Sequence, residues 1–162
     1  MTGFSLLRRF NRIALLSALF SAPVTPSFAV PIEVGGFYIQ DFAISTCATG
    51  PADICTVEFP ALPEGARAIL THASCFANIT ASSNIFRFTL AVVTPAGGAT
   101  GLSNALLPLQ VGAAGSIKSI QANQTIVQLV RVDHKVRITL DLFTGDITQL
   151  ACNIMGIVDE VV

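Results

Sequence analysis

The residues that could do chemistry are few in this sequence, and three of them share one predicted strand face. Within the segment 64–79, the polar residues His72, Ser74 and Asn78 alternate with apolar residues. Because successive side chains of a β-strand point to opposite faces, these three would lie on the same polar face. Imidazole, hydroxyl and amide groups bind ligands through hydrogen bonds, so this face is a candidate ligand surface. The simpler interpretation is the solvated outer face of a strand.

No catalytic motif accompanies these residues. The second histidine follows an aspartate in Asp133-His134, an ordinary turn sequence. The chain has no Gly-x-Ser-x-Gly nucleophile motif, and the glycines around Gly97 and Gly112 lack the lysine of a phosphate-binding loop. The acidic residues in predicted strands are Glu33, Asp41, Glu58 and Asp141. We interpret these acids as solvated strand faces, and expect no catalytic residue, no cofactor and no metal ligand.

Four cysteines predict two disulfide bonds. A zinc site is disfavoured because the chain has no Cys-x-x-Cys motif. Of the three pairings that four cysteines allow, we favour Cys47 with Cys55 and Cys75 with Cys152. The first pair brackets a turn-rich segment. The second joins two cysteines that each lie on the apolar side of their own strand, and its long loop makes it worth roughly 4 to 5 kcal/mol.

The first 29 residues have the features of an export signal. Three arginines precede an apolar run over 13–22, and Ser27-Phe28-Ala29 suits a signal peptidase, so we place cleavage after Ala29. The apolar run is shorter than the roughly 20 residues that span a bilayer. The Arg8-Arg9 pair leaves a twin-arginine signal open as an alternative. The sequence therefore predicts an exported protein, periplasmic or extracellular, without a membrane span.

Charge and length limit the classes of partner. Loss of the three signal-peptide arginines from nine Lys+Arg leaves six, against ten Asp+Glu, so residues 30–162 carry a net charge of −4. That balance disfavours nucleic acid, which binds clustered cations. The length of residues 30–162 predicts a single domain. Charged residues make up only 12% of the chain, a composition that suits a subunit interface, and so a homo-oligomer, as well as it suits an extracellular β-protein.

Alternating apolar and polar residues predict an all-β domain. In the segment 84–93 the alternation assigns Phe86 and Phe88 to the core, and in the segment 64–79 it assigns Ile69 to the core with Cys75. The segment 105–111 is predicted to be an edge strand or an extended connection, because Pro108 removes a backbone donor.

Turn residues divide the rest of the domain. Asp133-His134 is predicted to close a hairpin between strands over 126–132 and 135–143. In total, seven to nine strands without a helical period predict an antiparallel β-sandwich or a jelly roll.

One segment carries a resemblance. The pattern Val57-x-Phe59-Pro60-x-x-Pro63-x-Gly65-x-Arg67, which runs into an apolar strand ending in Ser74-Cys75, resembles a segment of small exported bacterial β-sandwich proteins of unassigned function. The resemblance covers residues 57–75 and implies export and a β-sandwich, with no activity to transfer.

The function expected from these observations is non-catalytic. A secreted or periplasmic β-sandwich would use a sheet face or its loops to bind a partner. By fold analogy, a glycan or another cell-surface polymer is the expected ligand class, and another protein is a further partner. A self-assembling structural or surface subunit is the alternative. An exported hydrolase is the least favoured class.

Overall fold

The computed structural model describes residues 32–34, 38–45, 47, 53–62 and 65–160. The predicted export signal, residues 1–29, lies outside this part of the chain. The described residues form ten strands and no helix. The strands are β1 (Ile32–Val34), β2 (Tyr38–Ser45), β3 (Ile54–Glu58), β4 (Ala66–Thr80), β5 (Asn84–Val93), β6 (Ala99–Ala105), β7 (Leu109–Ala114), β8 (Ile117–Val130), β9 (Lys135–Thr144) and β10 (Ile147–Glu160).

The strands make two antiparallel sheets. The larger sheet has the order β1-β2-β10-β4-β8-β7, and the smaller has the order β3-β9-β5-β6. Pairing is nested around the β5–β6 hairpin, because β4 pairs with β8, β3 with β9 and β2 with β10. In addition, β4 pairs with β10 and β5 pairs with β9, so the nested ribbon is rolled into two sheets. This arrangement is a jelly roll. The predicted all-β fold is confirmed, with β1 and β7 as additional edge strands that bring the described strands to ten.

The hydrophobic core lies between the two sheets. From the larger sheet it receives the apolar side chains of β4, β8 and β10, and from the smaller sheet those of β3, β5 and β9. The inward residues of the middle strands are almost fully buried, as shown by Ala77 (0%), Leu90 (0%) and Leu140 (0%). The small alanines of β4 thus face large aliphatic residues of the opposite sheet, which is a way of filling the space between two layers.

A β-bulge in β4 overturns the assignment of Ile69 to the core. The pairing of β4 with both neighbours shifts between Leu70 and His72: Thr71 is an extra residue relative to β10, whereas two residues of β8, Ile126 and Val127, lie opposite it. One extra residue reverses the alternation on one side of the bulge. As a result Leu70 is buried (1%) and Ile69 lies on the outer face of the sheet, 45% exposed.

A second irregularity overturns the assignment of Phe86. The pairing of β5 with β9 shifts between Ile85 and Arg87, and Phe86 is 53% exposed. Its ring packs against Phe143 on β9, with ring centroids 4.5 Å apart. Phe88, beyond the irregularity, is buried (3%) as predicted.

The predicted hairpin at Asp133-His134 is wrong. Residues 117–130 form one continuous strand, β8, in the larger sheet, whereas β9 belongs to the smaller sheet. The connection therefore crosses from one layer to the other. It is a tight turn as its residues suggested: Asp133 has a positive φ of 62°, and the His134 backbone N–H donates to Arg131 O at 3.1 Å. Turn residues specify a reversal of the chain, but the core decides which sheet the next strand joins.

Both predicted disulfide bonds are present. Cys75 and Cys152 are direct partners in the β4–β10 ladder, with Cα atoms 4.1 Å apart, so this bond lies within the larger sheet. Cys47, just after β2, is bonded to Cys55 on β3, with Cα atoms 5.6 Å apart, so the shorter loop is the one that links the two sheets. Disulfides persist in oxidising compartments, so the two bonds indicate an oxidising environment.

Candidate functional site

The three polar residues of the candidate ligand surface lie on the outer face of β4. His72, Ser74 and Asn78 are half-buried there, and Cys75 points to the opposite, core side. Each has a cross-strand partner on both neighbours: His72 lies between Met155 and Thr125. Residues two apart on a strand are about 6.6 Å apart along it. The three side chains are therefore spread along the sheet.

Asn78 is committed to its neighbours in the sheet. The Ser119 hydroxyl donates to Asn78 Oδ1 at 2.9 Å, and Asn78 Nδ2 donates to Gln149 Oε1 at 3.3 Å. This polar ladder joins β8, β4 and β10 across the outer face. Its hydrogen bonds are satisfied by protein groups, so Asn78 stabilises the sheet and is less suited to capture a ligand.

The outer face around these residues is free of formal charge. We call the surface made by the outward residues of β10, β4 and β8, between the levels of Ile69 and Asn78, the outer face. It consists of Ile69, His72, Ser74, Phe76 and Asn78 on β4, Gln149, Ala151, Asn153, Met155 and Ile157 on β10, and Ser119, Gln121, Asn123, Thr125, Val127 and Leu129 on β8. None of these side chains is Asp, Glu, Lys or Arg, and His72 is the only titratable group among them.

Large apolar side chains are exposed in two places on this face. At one end Ile157 (52%), Ile69 (45%) and Leu129 (41%) lie side by side on three strands, with Val127 (81%) next to them. Near the middle, Phe76 (39%) lies two strands from Ile44. Contiguous exposed apolar residues on a soluble protein mark interaction surfaces.

The outward side of the smaller sheet carries charged residues. Arg87 forms an ion pair with Asp141 at 3.0 Å, and Arg137 forms another with Glu58. Such pairs add little stability at a surface, but they make this face compatible with water. The two faces therefore differ in charge: the smaller sheet carries two ion pairs beside the exposed Ile54, Phe86 and Phe143, whereas the outer face carries no charged side chain.

Sequence reasoning located His72, Ser74 and Asn78 but missed the apolar residues around them. Ile69 was assigned to the core, and Val127 and Leu129 belong to the run 126–130, in which Gln128 (6% exposed) faces inward between Ile126 and Val130. A glutamine that faces the core inverts the usual pattern. The adjacency of Ile69, Leu129 and Ile157 depends on strand register, which a single sequence does not supply.

Among the described residues, no group of three or more His, Cys, Asp or Glu is arranged to hold a metal ion. His134 lies in the turn before β9, with Nδ1 2.8 Å from Val132 O. The described part of the chain contains no helix that is long and apolar enough to cross a membrane.

Comparison with known proteins gives one structural similarity. No family model and no curated protein matches this chain. A solved structure titled "Cyanophage Pam1 capsid asymmetric unit" contains a chain that is 24% identical, with 88% of this chain and 99% of that chain covered, at a TM-score of 0.38. A superposition of that quality does not establish a common fold or function.

Proposed function

We propose that this protein is an exported, non-catalytic jelly-roll subunit that associates with a second copy of itself through the outer face of its larger sheet. The observation that carries the proposal is the absence of charge on that face, combined with its exposed apolar residues. The centres of protein interfaces are depleted of charged residues and enriched in aromatic residues and methionine, and the outer face has Phe76 and Met155 near its middle. The export signal predicted over 1–29 and the two disulfides support a working place outside the cytoplasm.

The size of the outer face is sufficient for a specific dimer. At the usual strand spacing and rise per residue, the outer face together with the adjoining strand β2, which exposes Ile44 on the same side, presents a surface of about 20 Å by about 30 Å. Two such surfaces in contact would bury about 1,200 Å², the lower end of the range for specific complexes. Because no formal charge lies on the face, two identical copies meet without like-charge repulsion, which an isologous contact requires.

The other functional classes draw less support. Sugar-binding faces usually present exposed aromatic platforms, and the outer face has one phenyl ring, Phe76. Glycan binding therefore rests on fold analogy alone. For hydrolysis, a nucleophile and a base or a pair of acids would have to converge, and His72 lies on a face without Asp or Glu.

A lysine on the outer face should dissociate the dimer. We expect the Phe76→Lys protein to elute as a monomer, because the contact would bury two unpaired ammonium groups, one from each copy. The full chain is expressed in a host that exports it and forms its disulfides, and its mass is measured by light scattering coupled to size-exclusion chromatography. Val127→Lys, at a position that is 81% exposed and so tolerant of substitution, should weaken the dimer in the same direction.

The matched control is Ile54→Lys. Ile54 is an exposed aliphatic residue (51%) on β3, whose side chain belongs to the charged outer face of the smaller sheet. This variant should keep the mass of the unmodified protein. If Phe76→Lys and Val127→Lys, both folded by their melting curves, retain the dimer mass, the outer face is not the contact.

A further inference from the structure

A second uncharged surface lies at one side of the sandwich. Residues 88–117 contain no Asp, Glu, Lys, Arg or His. This segment includes β6, the edge of the smaller sheet, and β7, the edge of the larger sheet. Four large aliphatic residues are exposed along it: Leu102 (43%), Leu107 (76%), Leu109 (70%) and Val111 (49%). We call these four residues and the strands that carry them the β6–β7 side.

Two buried or half-buried glutamines hold the β6–β7 side against the body of the protein. Gln124 on β8 accepts from the Leu107 backbone N–H at 2.9 Å and donates to Ala105 O at 2.9 Å. Asn104 donates to Gln128 Oε1 at 2.7 Å. The connection from β6 to β7 is thereby fixed where it crosses between the sheets, with Leu106 buried (2%) and Leu107 left in solvent.

The exposure of these leucines is thus imposed by the fold. The hydrogen bonds of Gln124 to Ala105 O and to the Leu107 backbone N–H hold the chain so that Leu106 is buried and Leu107 is exposed. Exposing an aliphatic side chain that is 76% accessible has a cost in water, and a contact with another apolar surface removes it.

We infer that the β6–β7 side is a second contact between copies of this chain, distinct from the outer face, and that it joins dimers into larger assemblies. A second copy is the partner that fits, because an isologous contact brings each residue near its own counterpart and the segment 88–117 has no charge to repel itself. Leu109 lies next to Gln121 on β8, so this surface borders the outer face. The inference rests on the proposed function for its first contact.

The contact is made by side chains and is weaker than the first. Val111 is an extra residue at a register shift between β7 and β8, and such a bulge turns an edge away from strand-to-strand pairing. At roughly 20 Å by 20 Å, the surface amounts to about 400 Å² per copy, half of a standard interface. It should therefore form at higher protein concentration than the dimer does.

A charge-swap experiment at Leu107 tests the contact. Sedimentation velocity of the unmodified full chain over a concentration series should show dimers first and larger species at higher concentration. Leu107→Lys and Leu107→Glu should each stop at the dimer, because like charges meet across an isologous contact. A one-to-one mixture of the two variants should recover the larger species, since lysine then faces glutamate.

The matched control and the contrary results separate this inference from the proposed function. Ile54→Lys, on the opposite edge strand β3, should assemble as the unmodified protein does. If the outer-face contact is wrong and this one is right, Phe76→Lys still associates and Leu107→Lys is monomeric. The inference is overturned if Leu107→Lys associates as the unmodified protein does, or if the mixture of the two Leu107 variants associates no further than either variant alone.

Discussion

Replacing both Cys75 and Cys152 by alanine should lower the free energy of unfolding by about 4 to 5 kcal/mol, the largest effect of any change considered. The bond closes a loop with a sequence separation of 77. In the chain-entropy model, a disulfide stabilises a protein by restricting its unfolded chain, and this stabilisation grows with the logarithm of the loop length. Both sulfurs are also buried, at 2% and 1% exposure, so truncation removes packing. Guanidinium unfolding without reductant measures the difference.

The second disulfide provides the control. Cys47 and Cys55 are separated by only 8 residues in sequence, so the double alanine variant at these positions should lose about 2.5 kcal/mol. The comparison also tests whether joining the two sheets matters more than loop length, because the shorter bond is the one that joins them. A larger loss for the Cys47–Cys55 pair than for the Cys75–Cys152 pair would mean that linking the layers matters more than loop length, contrary to our account.

Gly156→Ala should destabilise the protein by about 3 kcal/mol, the upper end of what an added methyl group costs in a packed site. Gly156 on β10 lies opposite the bulge of β4. A Cβ placed there would lie 2.6 Å from Ile69 O and 3.0 Å from Leu70 Cα, and both are backbone atoms that cannot rotate away. The glycine therefore allows the bulged strand to approach, and the bulge in turn places Ile69 on the outer face.

Gly112→Ala is the matched control for this prediction. Gly112 is also a strand glycine, on β7, but a Cβ there would have no atom within 4 Å. Alanine at this position should leave stability unchanged or raise it by up to about 1 kcal/mol through the unfolded chain. Thermal unfolding of the two variants beside the unmodified protein decides the matter: equal melting temperatures for Gly156→Ala and Gly112→Ala would show that the close approach is relieved at no cost.

Much of the fold could be predicted because alternation is a local property. The inward positions of β10 and the burial of Cys75 and Cys152 follow from a period of two, and burial on two separate strands suggested the bond between them. Ile69 and Phe86 were assigned wrongly for one reason: a period-of-two interpretation assumes an unbroken pleat, and one extra residue inverts it. No composition signal marks the bulge at Thr71, which is accommodated by Gly156 on a strand far along the chain.

The candidate site was less accessible to prediction. The polar residues His72, Ser74 and Asn78 could be placed on an outer face from their alternation with Cys75 alone. The apolar and charge-free character of that face could not, because it depends on the register of β4 with β8 and β10. Long-range register is a property of the assembled sheet, which a single sequence does not contain.

Sedimentation equilibrium of the unmodified protein tests the central claim most directly. The full chain, exported and oxidised, is brought to equilibrium over a wide range of concentrations, and its mass is compared with that of the single polypeptide. Our account predicts a mass that rises to at least twice the monomer value as concentration increases. A mass that stays at the monomer value over the whole range would contradict self-association through the outer face.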